Sequence, residues 1–458
     1  MASTYLTRTV GTATNNKKAT FSFWIKRGTV TNRQMFVRII DPSSTASYSY
    51  IEFDGTSDTL TYDDFDGSST RITRTTNQVF RDTSAWYHIV ISVDTTQATG
   101  SDRAKVYVNG SQVTSFAGTS DATQNYVLTG QTSGKTFYIG AAGDGPSLYF
   151  DGSMTHFHFI DGTAYDADTF GETDSTTGIW KPKTAPSVTY GTNGFFLKFA
   201  NSGSMGTDSS GNGNNFTVGA GTLTQTQDTP ANVFATFNPL SSNTGNTYSN
   251  GNTTVSYANN FSRNANSTLA FNSGKYYGEF KRTGNANLHV GIVGNTFLED
   301  GRIITDTSSN HTYNMRGHTG CVTLISNTSD QDIFVDGSDS GSNVDFFTST
   351  GDIVMVAFDA DTKKIWFGKN GTWSSSGNPS TGANPSYTYS GTATSDFTFG
   401  VDTENGSTCP ANFGNGYFGT TAVSSAQSPS DGIGLFEYEV PSGYKALCTK
   451  SINAQEYD

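Results

Sequence analysis

The sequence predicts an all-β protein, with two antiparallel β-sandwich domains joined by a connector rich in Pro, Gly and Asn. Three observations carry this expectation. Aromatic residues make up 13% of the 458 residues while all hydrophobic residues together reach only 34%, a balance that suits many short strands with a few bulky side chains each. Fifty glycines, with abundant Ser, Thr and Asn, supply turn residues. Helical periodicity is almost absent, and strand-length runs bounded by Gly, Asn, Asp and Ser recur instead.

In the first half, Ala19–Lys26 alternates Phe21, Phe23 and Ile25 on one face. Trp24 falls on the other face with Ser22 and Lys26, so it is expected to pack under a loop or a second layer. Gln34–Ile40 and Tyr48–Phe53 read as further strands, and Trp86–Val93 as a central one, nearly continuous in bulky residues. Lys105–Asn109 enters an Asn109-Gly110 turn, the strongest short-range hairpin signal. Thr136–Gly140 and Met154–Ile160 complete the set. These strands place the first domain at residues 1–172. Residues 173–253 read as the connector, with a strand at Gly194–Phe199 and a Ser/Asn/Gly-rich linker from Ser241 to Thr253. The second domain, 254–458, restarts the pattern with Lys275–Lys281, Leu288–Val293, Ile353–Asp359, Lys364–Lys369 and Phe397–Val401; Gly443–Thr449 is expected to pack back onto it.

The net charge of −13 and the scattered basic residues exclude a basic stripe that could displace counterions from phosphate, so nucleic acid is not an expected partner. Cys321, Cys409 and Cys448 are too few for a disulfide framework and lack metal-ligand spacing. They read as small buried apolar residues, in keeping with assembly in a reducing cytoplasm. No apolar run approaches the roughly 18 residues of a membrane helix. A signal peptide is not visible either.

The first half resembles laminin-G-like, concanavalin-type jelly-roll domains through Phe21–Lys26, Trp86–Val90, Val106–Gly110 and Phe137–Gly140 followed by Phe150–Met154. The second half resembles the SPRY type of the same sandwich through Tyr276–Phe280, Val290–Val293, Gly351–Ile353, Phe358-Asp359, Lys364–Trp373, Phe397–Gly400 and Ala411–Gly414; His311–Ser342 fits that pattern least. The joint formed by Gly194–Phe199, Asp208–Phe216 and Asp228–Leu240, with the ending Pro441–Thr449, is similar to segments of marine tailed-phage proteins that link these two domain types. The resemblance implies a virion protein, released by lysis.

Sandwich glycosidases of this type need two carboxylates about the scissile bond. Glu52-Phe53-Asp54 offers two on one face, but Gly55-Thr56-Ser57 supplies no further Glu. Glu437-Tyr438-Glu439 puts two acids on one face, but near the chain end and beside Pro441. A non-enzymatic protein is therefore expected. His156 and His158 alternate with Phe157 and Phe159 and read as one solvated or hydrogen-bonded strand face without a third zinc ligand. No bound cofactor is expected; laminin-G resemblance raises a rim calcium as the alternative, with Asp144 and Asp151, and also Asp63, Asp64 and Asp66, as candidate ligands, while ordinary Asp turns account for the same residues without an ion. Tyr62, Asp64, Phe65, Asp66 and Trp373, read as lying in or beside turns, are the candidate binding residues, because an aromatic on a loop can stack on a sugar or a partner side chain. The expected function is a tail- or head-attached adhesin touching a host-surface glycan or protein, with other virion proteins as neighbours and a homo-oligomeric state. The alternatives are a virion component that only packs against neighbouring subunits, and a polysaccharide depolymerase.

Overall fold

A computed structural model describes residues 4–143, 147–240, 245–258, 263–284, 287–294, 315–391, 396–403 and 406–457. The chain divides into two compact units, Met1–Gln225 and Thr226–Asp458. Each is nearly all β; among the described residues the one α-helix is Thr449–Tyr457.

The strands of the first unit begin with β1 (Tyr5–Thr9), β2 (Lys18–Arg27), β3 (Gln34–Asp41), β4 (Ser44–Phe53), β5 (Thr59–Phe65) and β6 (Thr70–Val79). Next come β7 (Trp86–Asp94), β8 (Ala104–Val108), β9 (Ser111–Gln112), β10 (Phe116–Ser120) and β11 (Thr136–Ile139). The series ends with β12 (Gly152–Asp161), β13 (Gly171–Thr173), β14 (Trp180–Pro182), β15 (Phe195–Leu197) and β16 (Thr217–Ala220). Among the described residues, one sheet has the order β10-β6-β5-β4-β3-β11-β1-β16 and the other β15-β12-β2-β7-β8-β9.

Alternation decides how the two sheets meet. Phe21, Phe23 and Ile25 of β2 point inward, as do Ile89 and Ile91 of β7, Val37 and Ile39 of β3, and Ile51 and Phe53 of β4; all are buried in one core. Phe23 stacks on Phe157 with ring centroids 5.0 Å apart, and Phe36 meets Phe53 edge-on at 4.6 Å. Each buried side chain of this size contributes about 1.5–3 kcal/mol. The β8–β9 hairpin turns at Asn109 (φ 47) and Gly110 (φ 85), the left-handed pair expected of Asn-Gly.

The other face of β2 is also covered. Trp24 is buried and stacks on His88 at 4.6 Å, beneath a small apolar layer of Val90, Ile160, Ala167, Phe170 and Trp180. This is the second layer expected over Trp24.

Two expectations need correction. Tyr62–Gly67 is not a rim turn: β5 runs through Phe65, pairing with β4 and β6. Its Asp-Asp pair suggested a turn, but Asp64 is an inward residue whose carboxylate accepts from Tyr126 Oη at 2.7 Å and from the backbone N–H groups of Thr129 and Gly130. The stretch 173–253 is not a free connector in its described part. β14 pairs with β13, β15 with β12 and β16 with β1 in the first unit, while Thr247–Ser249 and Thr254–Ser256 form a hairpin of the second unit. The Asn/Gly content read as linker makes the turn of that hairpin, at Asn250, Gly251 and Asn252 with φ of 55, 63 and 64.

In the second unit Lys275–Lys281 pairs with Ile353–Asp359, which pairs with Lys364–Lys369. The opposing sheet has Arg263–Asn266, Phe397–Thr403, Leu288–Gly294 and Cys321–Ser326 in that order, extended by Asp332–Val335 and Ser338–Asn343. Lys445 and Ala446 lie parallel to Tyr276 and Tyr277, so the C-terminal segment packs back as expected. All three cysteines are free and buried.

Candidate functional site

Where the inward residues of the eight-stranded sheet build the core, the alternate residues build its outer face. Arg38 on β3, Tyr48, Tyr50 and Glu52 on β4, and Asp63 and Phe65 on β5 all lie there. Register places them in rows. Tyr138, Arg38, Tyr50, Asp63 and Thr73 stand opposite one another across five strands, and Ile40, Tyr48 and Phe65 form the next row.

Contacts tie these rows into a platform. Tyr48 stacks on Phe65 at 5.0 Å and lies 5.8 Å from Tyr50. The Arg38 guanidinium sits 4.0 Å over the Tyr48 ring and 5.6 Å from that of Tyr50. Tyr50 Oη donates to Asp63 Oδ2 at 2.5 Å, and Arg33 Nε donates to Glu52 Oε2 at 2.9 Å. Tyr48, Tyr50, Asp63 and Phe65 are half-buried, Arg33 is exposed, and Arg38 and Glu52 are buried. Burial pushes the Glu52 carboxyl up against the opposing pull of Arg33. Burial, reinforced by the bond to Asp63, likewise holds the Tyr50 hydroxyl in its neutral, donating form. The face therefore offers flat apolar rings beside charged donors and acceptors, the combination that holds a polyhydroxylated ring by stacking and hydrogen bonding.

Of the binding residues predicted from sequence, only Phe65 belongs to this platform, which also holds Glu52 and Asp63, weighed there as a catalytic carboxylate and a calcium ligand. Asp66 follows it in a turn, accepting from the backbone of Ser68 and Ser69, and from Arg71 Nε at 2.5 Å; those bonds hold its carboxyl far below the usual range. Tyr62 and Asp64 point the other way and are buried at 1% and 0% exposure, so neither can stack on or bond a ligand at this surface. Trp373 lies in the second unit, partly buried against Tyr277 at 6.3 Å.

Asp144 lies outside the described residues. Asp151 packs against Gly28, whose N–H bonds the Asp151 carbonyl at 2.8 Å, and burial pushes its carboxyl up. Among the described residues no group of three or more His, Cys, Asp or Glu is placed to hold a metal ion. Glu437 and Glu439 do not share a strand face, because their segment is a bend. The backbone N–H groups of Glu437 and Tyr438 instead donate to the buried Glu279, each at 2.9 Å.

Of the two expectations for the histidines, the hydrogen-bonded one describes them: His156 Nδ1 lies 3.0 Å from Thr155 Oγ1 and His158 Nδ1 2.9 Å from Tyr190 Oη. A bulge between Thr155 and His158 gives His156 a φ of 46. His158 is buried and stacks on Phe196 at 3.9 Å.

Sequence reasoning missed Arg38, Tyr48 and Tyr50, and placed Asp63 among possible calcium ligands. The signal was present in the alternation of Tyr48, Tyr50 and Glu52 against Ser49, Ile51 and Phe53.

These two sandwiches define a nearly all-β protein with an aromatic, charged outer sheet face. Residues 2–168 match the sequence model of the concanavalin A-like lectin/glucanases superfamily. No curated protein matches the chain. Among solved structures, the chain is similar to the SPRY domain of human HERC1 at 14% identity and a TM-score of 0.25, covering 34% of this chain and 86% of that one. It is similar to the TRIM65 PSpry domain at 14% identity and a TM-score of 0.30, covering 39% and 88% respectively. A putative carbohydrate binding protein from Bacteroides ovatus shares 16% identity with a TM-score of 0.34, covering 47% of this chain and 56% of that one.

Proposed function

We propose that the first unit binds carbohydrate on the outer face of its eight-stranded sheet, and that the chain is a host-contacting component of a tailed-phage virion. One observation carries the binding reading: Tyr48 and Phe65 stack side by side under the Arg38 guanidinium, with Asp63 and Glu52 alongside. Rings of this kind cover the apolar face of a pyranose while charged groups bond its hydroxyls. The superfamily match over residues 2–168 supports the same reading. The virion assignment rests on the resemblance of the joint and the C-terminal ending to marine-phage proteins.

A glycan array with the purified chain tests the binding, repeated with Tyr48→Ala. Selective binding that Tyr48→Ala abolishes supports the proposal, and an array without signal overturns it. Mass spectrometry of purified phage particles tests the second part, which fails if the chain is missing from them.

One observation favours a second reading, glycoside hydrolysis. The partner carboxylate that the sequence lacked beside Glu52 is supplied by the neighbouring strand: Glu52 pairs with Thr61, which sets Asp63 diagonally across the same face. Diagonal positions lie about 7–8 Å apart, and glycosidase carboxylates stand roughly 5–9.5 Å apart. Release of reducing ends by the wild type and its loss in Glu52→Gln would establish this reading. No release by the wild type removes it.

A further inference from the structure

The first unit hides a second set of aromatic and titratable groups on the far side, where residues 163–193 cover the outer face of the six-stranded sheet. This covering segment is tied at both ends. Thr20 Oγ1 donates to the Thr163 carbonyl and accepts from Tyr165 N, while Asp161 accepts from Asn193 N and its own N–H bonds the Tyr190 carbonyl. The middle, a β13–β14 hairpin, is held by the Trp180 indole. That ring sits in a socket with two glycine walls: a Cβ on Gly171 would come within 2.4 Å of it, and one on Gly110 within 3.0 Å.

At the floor of the socket the indole Nε1–H donates to His88 Nδ1 at 3.0 Å. An indole nitrogen can only donate, so His88 Nδ1 must be the bare, accepting nitrogen. The proton then sits on Nε2, 2.9 Å from Ser22 Oγ. Protonating His88 would put an N–H opposite an N–H. The bond cannot survive that change, and ring rotation is opposed by the stack on Trp24.

We propose that Trp180 and His88 form an acid-released latch: protonation of His88 undocks the β13–β14 hairpin and uncovers the aromatic face around Trp24 and Phe170.

The surroundings favour release. His158 is held in the same layer through Nδ1 and Tyr190 Oη at 2.9 Å, and Lys198 adds positive charge beside it, joined by His156 once that ring is protonated. From β8, Tyr107 faces the layer with Asp166 and Asp168 near it. In the hairpin itself Lys181 pairs with Asp174 and Glu172, and Lys183 bonds the Asp168 carbonyl. Lys26 and Lys105 stand at outer positions of β2 and β8. Burial lowers His88 to about 3 and His156 to about 4, so both are neutral while the hairpin is docked.

A group that titrates normally when open and resists protonation when docked drives opening as pH falls. Below the ordinary histidine value of 6.5 the opening equilibrium rises about tenfold per pH unit for each such group. The test is hydrogen exchange of hairpin amides in the full chain from pH 7 down to about pH 4, corrected for intrinsic exchange, with His88→Gln alongside. Gln can accept from the indole but cannot titrate in this range. The latch predicts hairpin opening that steepens in acid in the wild type and rises clearly less steeply in His88→Gln, ahead of any loss of β2 and β7 protection. Equal pH dependence in both proteins overturns it. If His88→Gln does not fold, NMR titration of His88 in Trp180→Phe replaces it: the latch predicts a higher value once the opposing donor is gone, and an unchanged titration overturns it.

Discussion

Tyr50 and Asp63 stand opposite each other on β4 and β5, and the tyrosine hydroxyl donates to the carboxylate at 2.5 Å. Asp63 Oδ1 is buried without a hydrogen-bond partner, so the Tyr50 bond carries most of that carboxylate's satisfaction within the protein. Tyr50→Phe is expected to cost about 1–2 kcal/mol in chemical denaturation, because it removes the donor and leaves the acceptor. In the proposed binding face it should also loosen Asp63 and weaken glycan binding, read by isothermal titration calorimetry.

Tyr48→Ala removes the ring that both Phe65 and Arg38 lie against. Aromatic pairs contribute about 0.5–1.5 kcal/mol beyond area burial, so stability should fall modestly. Binding of the preferred glycan should fall by about tenfold or more, the equivalent of one stacked ring at roughly 1.4 kcal/mol per decade. An affinity equal to wild type in calorimetry would remove Tyr48 from the site.

Arg27 and Asp58 form an ion pair with both side chains fully buried, at 2.9 Å. Arg27 also donates to the Phe80 carbonyl and covers the Phe53 ring. Asp58→Ala leaves this guanidinium buried without its counter-charge and should destabilise the first unit by about 3–5 kcal/mol. Adding Arg27→Met to that variant should recover part of the loss, a coupling that a double-mutant cycle in urea measures.

Glu279 accepts from Tyr277 Oη, Asn412 Nδ2 and the N–H groups of Glu437 and Tyr438. Burial outweighs these bonds and raises its carboxyl from 4.5 to about 7. A carboxyl raised on folding is stabilising below its unfolded value, and that contribution is lost as pH rises through the folded value. The second unit should therefore lose on the order of 3 kcal/mol between pH 4.5 and pH 7 from this group. Glu279→Gln turns an N–H2 toward N–H donors and should cost about 1–3 kcal/mol. The gap between the two proteins, followed by thermal melts, should narrow as pH rises.

Gly171→Ala brings a methyl group into the Trp180 ring, which approaches to 2.4 Å. The backbone conformation is not left-handed there, so the clash alone acts. Undocking should appear as faster proteolysis within residues 171–185 at neutral pH, with the sandwich core unchanged by far-UV circular dichroism.

Strands with bulky alternation were legible from sequence. Lys275–Lys281, Ile353–Asp359 and Lys364–Lys369 have the predicted bounds, and β2 and β7 differ only at their ends. Strands made of small or charged residues were not. β6, with the sequence TRITRTTNQV, buries Ile72, Arg74 and Thr76 inward, and Arg74 needs the Ala104 carbonyl and Asp121 to be satisfied there. Its pattern becomes visible only when the partners on other strands are known. The proposed binding face was illegible for the same reason. Arg38, Tyr50 and Asp63 are separated by 12 and 13 positions in the chain, and pairing across β3, β4 and β5 brings them into one row.

β15 and β16 arise after residue 172 yet complete the sheets of the first unit, and Phe195 and Phe216 close over Phe137 at 5.3 and 5.7 Å. Anyone excising this half for crystallisation or grafting should cut after Gln225. A shorter fragment would bare two sheet edges and an unfilled aromatic hollow, an invitation to aggregate rather than a minimal domain.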